Sequence, residues 1–168
     1  AAVYYLARMI EGGEDPKFIA RRMVILASED IGNANPNALL LANTCFEAIE
    51  KIGMPEGRII LSQCAIYLAA SAKSNASYLA IDEALALVRS TGNLPVPLQL
   101  RNAPTKLMKE LDYGKNYKYA HDYKNNFVQQ EFLPDEIKNK SFYKPGNSER
   151  EQAFASRLRL LWKDKYEF

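Results

Sequence analysis

The sequence is poor in the side chains that most enzymes use for chemistry. Its 168 residues contain one histidine and two cysteines, and Cys45 and Cys64 are not in a C-x-x-C pair. This set is too small for a zinc site of the usual four-ligand composition. Both cysteines lie in apolar helical patterns, so we expect buried, reduced thiols of the kind found in cytosolic proteins.

Long apolar runs and a strong charge imbalance are also missing. No apolar stretch reaches the roughly 20 residues that cross a bilayer, and no signal peptide is visible, so we expect a cytoplasmic protein without a membrane partner. The net charge of +2 is too small to imply a nucleic-acid partner by itself. Residues 1–100 carry eight basic and ten acidic residues, whereas residues 101–168 carry fourteen and ten, so the second part is mildly basic.

The phosphate-binding motif G-x-x-x-x-G-K-[S/T] is absent as well. The run Gly114-Lys115-Asn116 lacks both the upstream glycine and the hydroxyl that would bind magnesium. No acidic strand of the Walker-B type is present either. We therefore expect this chain to hydrolyse no ATP alone, to have no catalytic residue and to bind no cofactor or metal itself.

Apolar residues at helical spacing, bounded by start and stop signals, predict an all-α fold. The dipeptides Asp15-Pro16 and Asn35-Pro36 are helix-start signals, because the first side chain can cap the helix and proline suits the first turn. Gly32 and Gly53 are typical of helix ends. The run 18–27 is apolar on most of its circumference, which predicts a buried helix at the centre of the domain.

Residues 1–92 predict five helices in an antiparallel bundle or array. Small residues near the junction of the fourth and fifth helices would let them approach closely. These are Ala65, Ala69, Ala70, Ala72 and Ala76. Residues 93–168 contain a proline-rich linker, a short helix at 104–111, a long irregular segment and a final helix after the capping box Ser148-x-x-Glu151. We expect this second part to pack on the bundle as one structural unit.

The segment 113–124 is the strongest local anomaly, because it interleaves four tyrosines with three lysines and the histidine. Such a pattern can stack bases and neutralise phosphates, as single-strand binders do. The structural alternative is that the tyrosines bury their rings to anchor a loop while the lysines stay in water. The candidate contacts with DNA or a partner are Tyr113, Lys115, Tyr117, Lys118, Tyr119, His121, Tyr123 and Lys124.

His121 precedes Asp122, and a histidine next to an acid raises the hypothesis of general-base catalysis in a hydrolase. Adjacent residues rarely point in the same direction, and the sequence places no nucleophile beside them. A structural histidine is the alternative interpretation.

Three stretches resemble a known family. The run FIARRMVILASEDIGNANPNALLLA at 18–42, the box YGKNYKYAHDY at 113–123 and the run FLPDEIKNKSFYKP at 132–145 are similar to the C-terminal part of MgsA/RarA proteins. These are AAA+ ATPases akin to clamp-loader subunits and related to the Werner-helicase-interacting protein. Asn116 and Asn139 stand where the family is expected to have glycine, and asparagine also tolerates a left-handed backbone.

The resemblance implies a clamp-loader-type collar that assembles subunits, as a homotetramer, and acts in replication-fork maintenance and recombination. It further implies a separate ATPase module that binds ATP and magnesium, partners that include this module, DNA and a single-strand-binding protein, and a nucleoid-associated location. The alternative function is direct DNA binding by segment 113–124. Arg21 and Arg22, with the polar run 28–30, form either a solvated stripe with intrahelical ion pairs or a contact with the ATPase module or a neighbouring subunit.

Overall fold

The computed structural model describes residues 1–167, which form α-helices, short helical turns and irregular segments without a β-strand. The seven α-helices of this range are α1 Ala2–Glu11, α2 Pro16–Leu26, α3 Asn37–Ile52, α4 Gly57–Ala70, α5 Ala76–Thr91, α6 Lys106–Glu110 and α7 Glu149–Trp162. The prediction of an all-α fold with a long irregular segment before a final helix is confirmed.

The chain divides into two compact units. The first consists of Ala1–Asp82 and Tyr143–Phe154, so its sequence is discontinuous. The second consists of Glu83–Phe142 and the described residues from Ala155 onward. The expected organisation, with a boundary at residue 92 and the second part packed on the first, stays a prediction.

A core of aliphatic and small side chains holds the first unit together. Helix α2 packs against α3, α3 against α4, and α1 against α4. The largest core side chains are fully buried, among them Ile31, Leu61 and Leu68. Fully buried alanines on α2 and α3 let these two helices approach closely, since they add almost no bulk at the contact.

The local signals explain some of the helix boundaries. The Asp15 carboxylate accepts a hydrogen bond from the Lys17 N–H at 2.9 Å, as a helix cap should. The expected cap at Asn35 is wrong, because the Asn35 amide instead donates to Tyr67 Oη at 3.0 Å and Ser71 Oγ at 3.1 Å. Helix α3 therefore begins without a side-chain cap.

Two packing expectations are also wrong in part. Helix α2, predicted to be buried nearly all round, leaves Phe18, Ile25 and Leu26 partly exposed at 39%, 36% and 37%. Within the described residues, the alanines Ala20, Ala38 and Ala42 on α2 and α3 are fully buried, whereas Ala65 and Ala76 are the buried alanines among the five at the α4–α5 junction. The apolar circumference of α2 thus exceeds what α3 and α4 cover.

Cys45 on α3 and Cys64 on α4 are free and buried, as predicted. Their thiols hydrogen-bond to each other, and together with burial this raises the pKa of Cys64. The same hydrogen bond lowers the pKa of Cys45, although burial of that thiol opposes the change.

The returning segment 143–154 closes the first unit around a buried carboxylate. Glu151 has no exposed surface, and its two oxygens accept hydrogen bonds from Tyr143 Oη and Ser148 Oγ, each at 3.1 Å. The Ser148 hydroxyl accepts from the Glu151 N–H at 3.3 Å, which confirms the capping box. Burial and the nearby Glu151 carboxylate raise the pKa of Tyr143.

In the second unit, irregular segments gather around one tryptophan. Trp162 meets Phe127, Phe132 and Tyr166 edge to face, with ring centroids 5.0, 6.1 and 5.2 Å away. The Lys165 ammonium lies 5.0 Å from the Trp162 ring centroid. In the second unit, these aromatic and cation–π contacts have the stabilising role that the aliphatic core has in the first unit.

Candidate functional site

The segment 113–124 begins at an anchored tyrosine in the second unit. The Arg101 guanidinium lies 5.0 Å from the Tyr113 ring centroid and donates to Tyr113 Oη at 3.2 Å. The Gly114 N–H donates to the Leu98 carbonyl at 2.9 Å, and φ at Gly114 is +72°. Residues before α6 therefore fix the start of the segment. The role of Arg101 was missed, since no local sequence signal links it to Tyr113.

Beyond Tyr113 the rings point into solvent. Tyr117, Tyr119 and Tyr123 are 53%, 54% and 43% exposed. Lys118 and Lys124 are exposed, and Lys115 forms an exposed ion pair with Asp112 at 2.9 Å. The Lys118 N–H donates to Gln130 Oε1 at 3.2 Å, which holds the backbone in place. Three uncovered aromatic rings and three ammonium groups thus share one short segment.

His121 does not have the surroundings of a general base. Its ring lies 5.0 Å from that of Tyr119, and within the described part of the chain it forms no hydrogen bond to an acid, serine or cysteine. A base needs a partner within hydrogen-bond distance that orients it. The hydrolase hypothesis for His121 and Asp122 therefore gains no support from the geometry.

A partly buried ion pair between Glu131 and Lys165 stabilises the second unit. Glu131 Oε2 lies 2.8 Å from Lys165 Nζ, and Glu131 Oε1 accepts from the Leu133 and Phe132 N–H groups at 2.9 and 3.0 Å. Partial burial opposes ionisation, but the bond from Lys165 and the two N–H groups outweigh it and lower the pKa of Glu131. The Gln99 side-chain amide donates to the Glu131 backbone carbonyl, so this bond joins the proline-rich linker to the segment that contains Glu131.

In the first unit, a different surface is uncovered. A shallow groove of about 640 Å³ runs between α3 and α4, and none of its lining residues is charged. Leu40 and Ile66 line it and are 67% and 54% exposed, and nearby Ile59 is 62% exposed. This surface was missed. The signal was available, because residues 59–72 contain no charge, and a helix without a polar face is usually covered.

The two arginines of α2 differ in their surroundings. The Arg21 guanidinium lies 5.2 Å from the ring centroid of Phe18, whereas Arg22 lines an apolar groove together with Glu29 and Asp30. Within residues 1–167 neither arginine forms the intrahelical ion pair that the solvated-stripe alternative includes.

The described residues hold no cluster of three or more histidine, cysteine or acidic side chains that could bind a metal ion. None of the helices in this range has the length and apolar character needed to span a membrane.

Comparison with known proteins gives a consistent result. The family described as "MgsA AAA+ ATPase C terminal" matches residues 1–162. Replication-associated recombination protein A of Coxiella burnetii is 51% identical over 148 residues, which cover 88% of this chain and 34% of that protein. The Escherichia coli K12 protein of the same name is 43% identical over 162 residues, or 96% of this chain and 36% of that protein.

A eukaryotic protein is similar too. ATPase WRNIP1 of Dictyostelium discoideum is 42% identical over 159 residues, which cover 91% of this chain and 18% of that protein. The chain thus spans about a third of the length of the bacterial relatives named above. This chain belongs to the MgsA/RarA family of AAA+ ATPases and corresponds to its C-terminal region.

Proposed function

We propose that this chain is the non-catalytic assembly region of a AAA+ ATPase that acts in replication-associated recombination. It would join copies of itself, as a homotetramer, and so hold their ATPase modules around DNA in the bacterial nucleoid. ATP and magnesium would bind to those modules rather than to this chain. The names of the relatives support the process, and the surface of the first unit supports assembly.

The observation that carries the proposal is the uncharged groove between α3 and α4. Exposed apolar patches of this kind mark interaction surfaces in proteins that otherwise keep such side chains covered. Permanent interfaces between subunits are more apolar than the rest of a protein surface. Leu40, Ile59 and Ile66 would lose their contact with water when a second copy covers them.

Sedimentation of the chain at micromolar concentration tests assembly. We expect a mass of several times the 19.0 kDa of one chain, and of four times that mass for a homotetramer. Ile66→Glu should weaken association about tenfold or more, because a carboxylate in the interface loses its hydration. Leu160→Glu, at a residue 73% exposed on α7, is the matched control and should leave the mass unchanged. A wild-type monomer would refute the proposal.

Direct DNA binding by segment 113–124 is the second candidate. It is favoured by the exposed rings of Tyr117, Tyr119 and Tyr123 beside exposed lysines, since bases stack on such rings and ammonium groups neutralise phosphates. Fluorescence anisotropy with single-stranded and forked oligonucleotides tests it. We expect salt-dependent binding that Lys118→Ala weakens, whereas Lys51→Ala on α3 should have no effect. No binding at low salt would exclude this function.

A further inference from the structure

Helix α2 presents a ridge that the other helices of the first unit leave uncovered. Phe18, Arg22 and Ile25 follow at four- and three-residue intervals on α2, so their side chains share one face, and Glu29 lies just beyond this helix in the π-helical turn Ala27–Ile31. Beside this ridge runs an apolar groove of about 270 Å³, whose lining includes Leu26. A ridge next to a groove is the arrangement by which one helix packs on another.

The charges on this face lie at opposite ends. Asp30 also lines the groove and belongs to its acidic end. Arg22 lies on α2, whereas Glu29 lies in the π-helical turn beyond the end of that helix. Neither forms an ion pair within residues 1–167, although the Glu29 carboxylate lies close enough to the Tyr78 phenol to help Asp82 raise its pKa. Partly exposed Ile25 and Leu26 occupy the middle.

This pattern of charges is complementary to the same pattern on a second copy turned through 180°. If the ridge meets the same ridge of a second copy in antiparallel orientation, Arg22 faces the partner's Glu29 at one end and Glu29 faces the partner's Arg22 at the other. Parallel orientation would instead oppose like charges. Self-complementarity of one patch is the property that a two-fold interface requires.

We propose that the α2 face is a two-fold contact between copies of this chain, with two symmetry-related Arg22–Glu29 ion pairs around an apolar centre at Ile25 and Leu26. The inference rests on the proposed function and assigns one of its subunit contacts. Helices that pack through such ridges cross at about 50° with axes 8–10 Å apart, which arginine and glutamate side chains can bridge. A tetramer with dihedral symmetry needs more than one type of contact, so the α3–α4 groove and the α2 face can serve together.

Charge reversal gives a sharp test. R22E and E29R should each weaken self-association about tenfold or more at low salt, because like charges then meet at both ends of the contact. An equimolar mixture of R22E and E29R should associate as wild type does, since the mixed pair again opposes unlike charges at both ends. The double variant R22E/E29R should also recover association. Sedimentation velocity with one partner fluorescently labelled measures all four.

The control is K51E, which makes the same charge change at an exposed position on α3 and should associate as wild type does. Helical circular dichroism and the unfolding midpoint must match wild type in every variant, and Ile25→Ser provides an uncharged second disruption of the same contact. In 0.5 M salt the differences among the charge variants should shrink, while that of Ile25→Ser should persist.

The outcomes separate the two proposals. A monomeric wild type would refute both assembly and this contact. If wild type assembles and R22E, E29R and Ile25→Ser all assemble equally well, the α2 face is not a subunit contact, although assembly stands. If the single variants lose association but their mixture does not recover it, Arg22 and Glu29 do not face each other and the proposed pairing is wrong.

Discussion

The two units of this chain hold their residues in place by different means. Among the described residues, the fully buried aliphatic side chains lie in the first unit, whereas Ala155 is the buried apolar residue of the second. The second unit instead relies on the rings around Trp162, on the Glu131–Lys165 ion pair and on hydrogen bonds between side chains and backbone. A dry core gains free energy from the area it removes from water, while exposed polar contacts contribute little each.

This difference suggests a division of labour. The first unit leaves apolar side chains uncovered on α2 and between α3 and α4, where contacts with other subunits are proposed. The second unit leaves Tyr117, Tyr119 and Tyr123 exposed, with lysines beside them in the sequence. Stability should therefore depend on single core residues in the first unit and on many weak contacts in the second.

The largest effect is expected from Leu61→Ala. Leu61 on α4 is fully buried, so its loss should lower the free energy of unfolding by about 2–5 kcal/mol. Leu160 is largely exposed, so Leu160→Ala should change the free energy of unfolding by about 0.5 kcal/mol or less. Urea unfolding followed by circular dichroism measures both. Equal losses would mean that the two units do not differ as described.

A smaller difference is expected between two glycines with positive φ. A Cβ at Gly32, where φ is +49°, would lie 2.9 Å from the Ser74 carbonyl oxygen. At Gly114 in the second unit φ is +72°, and a Cβ would lie 3.3 Å from the Arg101 carbonyl oxygen. Both substitutions to alanine carry about 1–2 kcal/mol of backbone strain.

Gly32→Ala should therefore cost about 1 kcal/mol more than Gly114→Ala, since a backbone oxygen in the packed first unit must move as well. Thermal unfolding midpoints compare the two variants. If Gly114→Ala is the more damaging, the second unit is packed more tightly than its burial indicates.

The smallest effect is expected from the pH dependence of the Glu131–Lys165 ion pair. Because the pKa of Glu131 is lowered in the folded state, its contribution is complete above the ordinary glutamate pKa of 4.5 and is lost as the pH falls through the lowered value. Burial opposes the charge of Lys165, but Glu131 and Tyr166 outweigh it and raise the pKa of Lys165. Its contribution is complete below the ordinary value of 10.5 and is lost as the pH rises through the raised value. The ion pair should thus act fully between these limits.

Trp162 fluorescence reports on this pair, since Lys165 lies over its ring and the chain has one tryptophan. We expect its emission to shift towards that of solvent-exposed tryptophan as the pH falls through the lowered pKa of Glu131, and Glu131→Gln should shift it already at neutral pH. Glu110→Gln, at a glutamate in an exposed ion pair, is the control. A profile unchanged by Glu131→Gln would show that the pair does not hold the ring cluster.

Sequence reasoning succeeded where one residue determines local geometry. Asp15 accepts the expected cap bond, Gly32 and Gly53 have positive φ, and Ser148 with Glu151 starts α7. These features depend on neighbours within four residues, so spacing alone predicts them. Asn35 failed as a cap because Tyr67 and Ser71, more than 30 residues away, bind its amide.

The second unit was harder to predict for the same reason. Trp162 meets Phe127 and Phe132 across a long stretch of chain, and these rings follow no helical or strand period. The predicted site residues of segment 113–124 are close in sequence, so the sequence brought them together by itself. Whether DNA or a partner binds them stays a prediction, as does the role of Arg21 and Arg22.

The discontinuous first unit has a consequence for biosynthesis. Residues 1–82 leave the ribosome before the stretch 83–142, but Tyr143 and Glu151, which close the unit, follow only after that whole stretch has been made. Until then the helices of residues 1–82 lack segment 143–154, and the backbone at Gly146 does not yet lie against the Ser74 hydroxyl. A nascent chain stalled before residue 143 should therefore be open to proteases that the finished protein resists.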